Sequence, residues 1–397
     1  MKTIRVLWMV AFTFALLTLG AVAPAAAWVP VVDRGELNDS QEPGSVLVFP
    51  KFIRGTVSSP DQVNNPTDGL PRSMFQISVV CPADVDCFNT PPDISLVTLK
   101  AHWVCPPDAQ DETSTCKETD FHLYASVWGT VLFNPENLSN DKSVTGQNRN
   151  NVMTPPCKEG YLIAWVVDND VNDNAIKFDG LIGGAVIRSN DLKVAGAPFA
   201  LSNSTRSYGA IPIQALSSTS TYDFVLPGTP QGPNGPLVFD GKTQYKAVTG
   251  TIYGSLRFAN GGPDDRGKGT QDTRLVLLTL DVASNQHNDR TDVGLTFYSE
   301  FEESGSTATH FTCWGETELR DLDIHEDNPL FNGSGYGLVK STSAQQNSHG
   351  GVTLLGLIES REELTVSIGM ASVSVRRDYT FPLFNDSYPI ETTFFPF

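Results

Sequence analysis

The amino-acid sequence predicts an all-β protein made of two tandem β-sandwich modules, immunoglobulin-like or related, which arise from an internal duplication and follow a cleaved signal peptide. Three observations lead to this prediction. Short apolar and β-branched runs recur between Gly, Pro, Asn and Asp residues, and no segment has a helical period long enough to compete. The order of these runs also repeats in the second half of the chain.

The first 27 residues have the three parts of a secretory signal peptide. Lys2 and Arg5 form a positive start, an apolar stretch covers 6–19, and Ala25 and Ala27 are the small residues that precede a cleavage site. The apolar stretch is shorter than the roughly 20 residues that a membrane-spanning helix needs. We therefore expect cleavage after Ala27 and a mature protein in the periplasm, on the cell surface or outside the cell, with no transmembrane segment.

The charge balance limits the possible partners. The chain carries 27 Lys and Arg and 45 Asp and Glu, for a net charge of −18. The signal peptide holds two of the basic residues and no acidic ones, so the mature chain has a net charge of −20. Nucleic acids and anionic membranes bind positive surfaces, so neither is expected as a partner. The acidic balance fits solubility outside the cell or the binding of cations. It leaves the partner unknown, and a partner on the cell surface or in the extracellular space is compatible with it.

The apolar runs of the first half read as strands: SVLVFPKF, MFQISVVC, SLVTLKAHWV, FHLYASVWGTVLF, YLIAWVVD and GLIGGAVIR. In YLIAWVVD both alternating sets of side chains are apolar. We therefore expect this strand to be central and covered on both faces.

Four segments of the first half match segments of the second half in the same order. Residues 160–168 align with 351–359, Thr98 aligns with Thr296 in similar strands, Phe121 aligns with Phe311, and 47–49 align with 256–258. Chance similarity among β-rich segments rarely preserves such an order. The first module is thus predicted over 28–226, with a trailing linker, and the second over 227–397; the join lies in the Ser, Thr, Gly and Pro-rich stretch 201–240.

All six cysteines lie in the exported part, where an oxidising compartment favours disulfides. Fifteen pairings are possible. The shortest loops pair Cys81 with Cys87 and Cys105 with Cys116, which leaves Cys157 for Cys313. A zinc site is disfavoured because the spacings contain no CxxC element.

An acidic stretch, DNDVNDNAIKFDG at 168–180, resembles a calcium-binding loop. Its candidate ligands have the alternating spacing of an EF-hand: Asp168, Asp170, Asn172, Asn174 and Asp179. Asp173 stands where the sharp turn of such a loop needs Gly, and the flanks are predicted strands rather than helices. The segment that follows 351–359 is shorter and lacks the cluster. A polar strand connection is therefore favoured, with calcium as an open alternative and no other cofactor expected.

No catalytic motif is found. The chain has no GxSxG elbow, HExxH helix or P-loop, and no GxGxxG follows a strand. If Cys105 pairs with Cys116, then His102 and His122 lie on opposite faces of the sheet and are ordinary strand residues. Four tryptophans fall in apolar strand patterns and are predicted to be core residues: Trp103, Trp128, Trp165 and Trp314.

Two segments resemble parts of secreted bacterial β-rich proteins of unassigned activity. They are FDGLIGGAVIR after YLIAWVVD, and FTCWGETEL after a TFYSEFE strand. The resemblance extends loosely over most of the chain and its motifs are structural. It implies export from a bacterium and implies no activity.

The sequence favours an exported, non-enzymatic surface or extracellular protein that acts as a structural, adhesive or ligand-binding module. One alternative is a carbohydrate- or calcium-binding module that uses loops at the ends of the sandwiches, such as 54–69 and 260–272. Another is a secreted hydrolase that uses two carboxylates about 5 to 10 Å apart.

Overall fold

All regular structure in the described part of the chain is β-strand, which confirms the all-β prediction. The computed structural model describes residues 36–39, 41–55, 72–82, 87, 96–108, 115–136, 152–168, 171, 173–189, 204–216, 236–249, 252–257, 270–280, 291–298, 304–318, 336–343, 354–368, 371–382, 384–385, 389–390 and 392–394. The apolar, β-branched runs form the strands, and Gly, Pro, Asn and Asp stand between them.

The described residues of the first half form nine strands: β1 (Val46–Ile53), β2 (Arg72–Val79), β3 (Leu96–Cys105), β4 (Lys117–Ser126), β5 (Thr130–Phe133), β6 (Glu159–Val167), β7 (Leu181–Ser189), β8 (Ser204–Gly209) and β9 (Ile211–Ile213). Two short strands follow, β10 (Leu237–Phe239) and β11 (Val248–Thr249). The second half contains β12 (Ile252–Arg257), β13 (Thr270–Leu278), β14 (Thr291–Tyr298), β15 (Ser304–Phe311), β16 (Trp314–Glu318), β17 (Tyr336–Ser343), β18 (Leu355–Ile368), β19 (Ala371–Pro382) and β20 (Phe384–Asn385). Strands β21 (Pro389–Ile390) and β22 (Thr392–Phe394) end the described chain.

Each half contributes a five-stranded and a four-stranded antiparallel sheet. The first half has the orders β4-β3-β6-β1-β9 and β5-β2-β7-β8. The second half has the orders β15-β14-β17-β12-β20 and β16-β13-β18-β19. When β1 to β9 are set against β12 to β20, the two orders are the same strand for strand.

This correspondence agrees with three of the four sequence matches and corrects the fourth. Strands β1, β3 and β4 correspond to β12, β14 and β15, as aligned. The segments 160–168 and 351–359 do not correspond, because the first forms β6 in a five-stranded sheet and the second enters β18 in a four-stranded sheet. Both are apolar strands with two buried faces, so their compositions are alike although their positions differ.

The two sheets of the first half pack face to face through aromatic side chains. The Phe75 ring of β2 lies 5.2 Å from the Phe49 ring of β1 and 5.4 Å from the Trp103 ring of β3. Phe133 of β5 stacks on Phe75 at 5.4 Å. Phe121 of β4 stacks on Trp103 at the same distance. Aromatic pairs at these separations add to the stabilisation from burial, so these rings form the centre of the first core.

Strand β6 is central, as its sequence predicts. It pairs with β3 on one side and β1 on the other. Tyr161 to Val167 are all buried, so both faces of the strand are covered. Its inner face packs inside the first sandwich, while the outer face, which includes Tyr161 and Ile163, meets the second half.

The second half packs against this outer face, and one apolar cluster extends through both halves. It includes Val276 and Leu278 of β13 and Leu355 and Leu357 of β18 together with the core of the first half. The Trp314 indole donates a hydrogen bond to the Pro50 carbonyl at 2.8 Å. Residues Gly35–Phe397 form one compact unit. The two halves therefore share an apolar interior.

Two short antiparallel strand pairs, which we call the junction ladder, join the residues between the halves to those after β20. Strand β10 pairs with β22, and β11 pairs with β21. Leu37, ahead of β1, bridges to Ala247. Residues 392–394, within the aromatic segment ETTFFPF, thus supply a paired strand at this junction.

The three disulfides correct two of the predicted pairings. Cys81 pairs with Cys87 as expected, but Cys105 pairs with Cys157 and Cys116 pairs with Cys313. The register explains the difference: Lys117 lies directly opposite Cys105, so Cys116 is one position out of register with it. Every cysteine is paired, in line with the prediction of a disulfide-bearing protein.

Some predictions fall outside the described residues. These are the signal peptide 1–27, the module boundary at 226/227 and nearly all of the loops 54–69 and 260–272. Within the described ranges there is no helix of the length and apolarity needed to cross a membrane.

Candidate functional site

The outer face of the first five-stranded sheet carries a cluster of charged side chains on β3 and β4. Lys100 lies opposite His122, and His102 lies opposite Asp120. Directly paired residues share a sheet face, as do residues two apart on one strand. His102 and His122 are therefore on the same face, and the expectation of opposite faces, which depended on a Cys105–Cys116 disulfide, is wrong.

Asp173 completes this cluster from the segment after β6. Its Oδ2 lies 2.9 Å from Lys100 Nζ and its Oδ1 lies 2.6 Å from His122 Nε2. Asp120 Oδ2 is 3.8 Å from the same ammonium group. Lys100 is 1% exposed and Asp173 is 6% exposed, whereas His122 is 23% and Asp120 55% exposed. The cluster thus has a buried ion pair with two more accessible groups beside it.

His102 lies deeper, next to Trp165. Their rings stack with centroids 4.8 Å apart. His102 Nδ1 is 2.9 Å from Glu118 Oε2, and both side chains are buried. Burial, followed by the nearby charge of Lys100, lowers the pKa of His102 to about 3. His102 is thus neutral over the physiological range and accepts or donates hydrogen bonds without carrying charge.

A second charged cluster lies between the two halves. Lys51 Nζ is 2.5 Å from Glu316 Oε2 and 2.8 Å from Glu359 Oε2. The guanidinium of Arg206 lies 3.0 Å from Glu359, and that of Arg274 lies 2.7 Å from Glu316. Lys51 and Arg206 belong to the first half, so each half provides cations or carboxylates that the other neutralises.

The pKa values in this second cluster follow from the same contacts. Burial raises the pKa of Glu316, but Lys51 and Arg274 more than offset burial, so its pKa lies below the ordinary value. Glu159, at the start of β6, behaves oppositely: burial raises its pKa more than the nearby Lys51 lowers it. Glu316, which binds two cations, is thereby held in the charged form.

Glu136, located after β5, is a half-buried acidic group outside both clusters. The Gly55 amide donates a hydrogen bond to Glu136 Oε1 at 2.9 Å, while Oε2 is buried and has no hydrogen-bond partner among the described residues. Burial raises the pKa of Glu136 to about 7, although the Gly55 amide and the charges of Arg72 and Arg54 act in the opposite direction. A carboxyl with such a pKa exchanges protons near neutral pH.

The structure brings two of the described candidate calcium ligands, Asp168 and Asn174, together and gives the third, Asp179, different partners. Asp168 binds Asn174: its Oδ1 accepts a hydrogen bond from the Asn174 amide at 3.1 Å and its Oδ2 one from Asn174 Nδ2 at 2.9 Å. Asp179 instead accepts hydrogen bonds from Ser45 Oγ at 2.7 Å and the Ala215 amide at 2.8 Å. Asp170 and Asn172 lie outside the described residues.

These contacts are those of a polar connection that closes on itself and on its neighbours. In the parts of the chain that can be examined, no group of three or more His, Cys, Asp or Glu side chains is arranged to hold a metal ion. Calcium at 168–179 stays a prediction.

Three of the four core tryptophans are where the sequence places them. Trp103, Trp165 and Trp314 are buried. Trp128 is 66% exposed, with a φ of 64° in the turn between β4 and β5, so the prediction of a core position is wrong for this residue. The run FHLYASVWGTVLF, which the sequence predicts as one strand, turns at Trp128 and Gly129 and forms two.

Sequence reasoning did not identify Lys100, Asp173, Lys51 or Glu359 as members of charged clusters. Lys100 and Lys51 interrupt otherwise apolar runs, SLVTLKAHW and SVLVFPKF. A lysine in the middle of a strand with two apolar faces needs a buried anion as its partner. The positions of Lys51 and Lys100 were therefore the signal in the sequence that buried ion pairs exist. Their partners are distant in sequence and required the strand pairing.

Comparison of the sequence with protein-family models and with curated proteins found no match.

Proposed function

We propose that this protein is exported from the cytoplasm and acts without enzymatic activity, as a structural or adhesive protein on the cell surface or outside the cell. The observation that carries this proposal is the way in which the two halves are joined. The Cys116–Cys313 disulfide and the ion pairs of Lys51 with Glu316 and Glu359 both connect the first half to the second. A protein fixed internally in this way is suited to bear load or to present a surface.

Two finer statements belong to the same proposal. Residues 1–27 act as a cleaved signal peptide, and 28–226 and 227–397 are two copies of one β-sandwich module. Three disulfides support passage through an oxidising compartment. The matching strand orders of β1 to β9 and β12 to β20 support a duplication.

The chemistry of the buried charges favours a structural role over catalysis. Lys51, Lys100 and Asp173 are buried and each binds an oppositely charged side chain. Removing one partner from such a pair costs about 3 to 5 kcal/mol, because the remaining charge is left uncompensated. Groups committed to the fold in this manner are not free to act on a substrate.

Export is tested by expressing the full chain in a bacterium and sequencing the amino terminus of the protein in each cell fraction. We expect the mature protein to begin at Trp28, outside the cytosol, with all six cysteines oxidised. Ala25→Arg should block cleavage because that position requires a small residue, whereas Ala26→Arg, between the two small positions, should not. An uncleaved cytosolic chain with reduced thiols would contradict the proposal.

The two alternatives make different predictions. A calcium-binding module should gain thermal stability in the presence of calcium, because a ligand that binds only the native state stabilises it, and Asp168→Ala should abolish the gain. A hydrolase should lose activity on its glycan substrate in Glu136→Gln, since Glu136 is the carboxyl whose pKa suits a general acid. Either result would replace the proposed structural role.

A further inference from the structure

The buried pair of Lys100 and Asp173 holds an amine nitrogen in direct contact with a carboxyl group, away from water. Their closest polar atoms are 2.9 Å apart, and the side chains are 1% and 6% exposed. Groups held at about 3 to 3.5 Å in a site that excludes water react much faster than the same groups in solution.

Asp173 is held in place by its backbone surroundings. Its φ is 55°, a left-handed conformation that is uncommon for a residue other than Gly. The neighbouring Asn174 is bound to Asp168 through both backbone and side chain, and Ala175 bridges to Val167 of β6. The segment is thus fixed to the end of β6, and the carboxyl group is kept against Lys100.

Each member of the pair has one further charged or titratable neighbour from β4. His122 Nε2 lies 2.6 Å from Asp173 Oδ1, and Asp120 Oδ2 lies 3.8 Å from Lys100 Nζ. The carboxylate of Asp120 can accept protons from the lysine, and the imidazolium form of His122 can donate protons to the aspartate. Both residues are partly exposed and so can exchange protons with water.

We propose that Lys100 and Asp173 condense to form an intramolecular isopeptide bond. Asp120 accepts a proton from the Lys100 ammonium, and the nitrogen lone pair attacks Cγ of Asp173. His122 in its imidazolium form donates one proton to Oδ1, and Asp120, after releasing its first proton to solvent, takes the second proton from the nitrogen of the adduct. His122 regains a proton from solvent and donates it to Oδ1 as well, the C–Oδ1 bond breaks, and a water molecule leaves. An ammonium and a carboxylate are converted to a neutral amide plus water, with no oxidant or reductant, and Asp120 and His122 return to their starting states through solvent.

Lys51 is also a buried lysine in contact with carboxylates, those of Glu316 and Glu359. A difference between the carboxylates next to Lys51 and the one next to Lys100 is the reason for assigning the reaction to Lys100. Both carboxylates next to Lys51 also bind a guanidinium group, Arg206 on Glu359 and Arg274 on Glu316. Guanidinium groups stabilise the carboxylate anion, which is a poor electrophile. Asp173 has no arginine among its ion-pair partners in the described residues, and a histidine lies at its second oxygen instead.

The bond would link the centre of β3 to the segment after β6, and the inference is independent of where the protein acts. It is tested by mass spectrometry of the mature wild-type protein after reduction and alkylation of its disulfides. We expect an intact mass lower than the sequence mass by one water. We also expect trypsin not to cleave after Lys100, and a branched peptide that contains both Lys100 and Asp173.

Lys51 serves as the internal control, because trypsin should cleave after it as usual. Lys100→Arg and Asp173→Ala should restore the full mass, and His122→Gln should leave a measurable fraction of chains unlinked. A wild-type protein of full mass, cleaved after Lys100 as after Lys51, would overturn the proposal. A water loss confined to the Asp173 peptide would also overturn it, since Asp173 and Asn174 could form a cyclic imide. The wild-type measurements decide the question even where a variant fails to fold.

Discussion

At the scale of single residues, Glu136 is the group whose ionisation should affect stability near neutral pH. Its pKa rises from an ordinary 4.5 to about 7 in the folded protein. The raised pKa means that the protonated form is favoured by the fold. The stabilisation of the folded state that comes from the protonated Glu136 carboxyl is fully present below about pH 4.5. It is lost as the pH rises through about 7, because the half-buried carboxyl then ionises.

We therefore expect Glu136→Gln to become progressively more stable than the wild type between pH 4.5 and 7.5. The difference should reach about 2 to 3 kcal/mol, because one pKa unit corresponds to about 1.4 kcal/mol. Denaturant unfolding at several pH values measures it. Glu42→Gln removes an exposed carboxylate and is the matched control. A pH-independent difference between Glu136→Gln and the wild type would be incompatible with the raised pKa.

Single residues were the least predictable level from sequence. The core positions of Trp103 and Trp165 followed from strand patterns because their strands are long and apolar. Trp128 was misplaced because the turn at Trp128 and Gly129 lies within a continuous run of strand-forming residues. The charged cluster at Lys100 could not be predicted from the sequence. The expected alignment of β3 with β4 used a Cys105–Cys116 disulfide, which the rule of shortest loops assigned wrongly.

At the scale of secondary-structure elements, β6 depends on Gly160, where the sheet packs most tightly. A Cβ atom at Gly160 would lie 2.1 Å from the Val104 carbonyl oxygen and 3.0 Å from the Phe52 ring. Gly160 pairs with Phe52 beside an irregularity in the β1–β6 register. The backbone oxygen cannot move aside without disturbing the ladder between β3 and β6.

Gly160→Ala should cost about 3 kcal/mol, at the upper end of the range for overpacking a core. Gly209→Ala is the control, because a Cβ atom there would meet nothing within 4 Å. Thermal or denaturant unfolding compares the two variants. Equal stability of Gly160→Ala and Gly209→Ala would show that β6 is not packed as described.

The disulfides that join elements should differ in their contributions to stability. Cys116 and Cys313 are separated by 197 residues, and Cys81 and Cys87 by 6. Loop-closure entropy assigns about 5 kcal/mol to the long loop and about 2 kcal/mol to the short one. We expect the double serine variant of Cys116 and Cys313 to lose more stability than that of Cys81 and Cys87. The reverse order in denaturant unfolding would contradict this pairing.

Elements were predicted better than residues because hydrophobic alternation is local. The strands of the first half and the central position of β6 follow from YLIAWVVD and its neighbours. The match of 160–168 to 351–359 was wrong because it depended on similar apolar composition alone. Two buried strands with similar composition cannot be distinguished without knowing which sheet each one joins.

At the scale of the whole molecule, the halves should unfold together. They share an apolar cluster, the Cys116–Cys313 disulfide and the ion pairs of Lys51. Separate domains with small polar interfaces unfold independently, whereas a shared core couples them. We expect one calorimetric transition whose van't Hoff and calorimetric enthalpies agree.

Lys51→Met should lower the midpoint of that single transition, because it leaves two buried carboxylates without their shared cation. Lys117→Met, at an exposed position, should change stability by less than about 0.5 kcal/mol. Two resolved transitions in the wild-type protein would show that the halves are thermodynamically separate.

The junction ladder constrains the order in which the protein can fold during synthesis. Residues 237–239 and 248–249 obtain their strand partners from 392–394 and 389–390. The ribosome releases those partners about 150 residues later, and nascent chains grow at roughly 5 to 20 residues per second. The middle of the polypeptide must therefore wait for roughly 8 to 30 seconds with its backbone groups bonded to water instead of to their strand partners. A chaperone or the translocation machinery could bind it during that time.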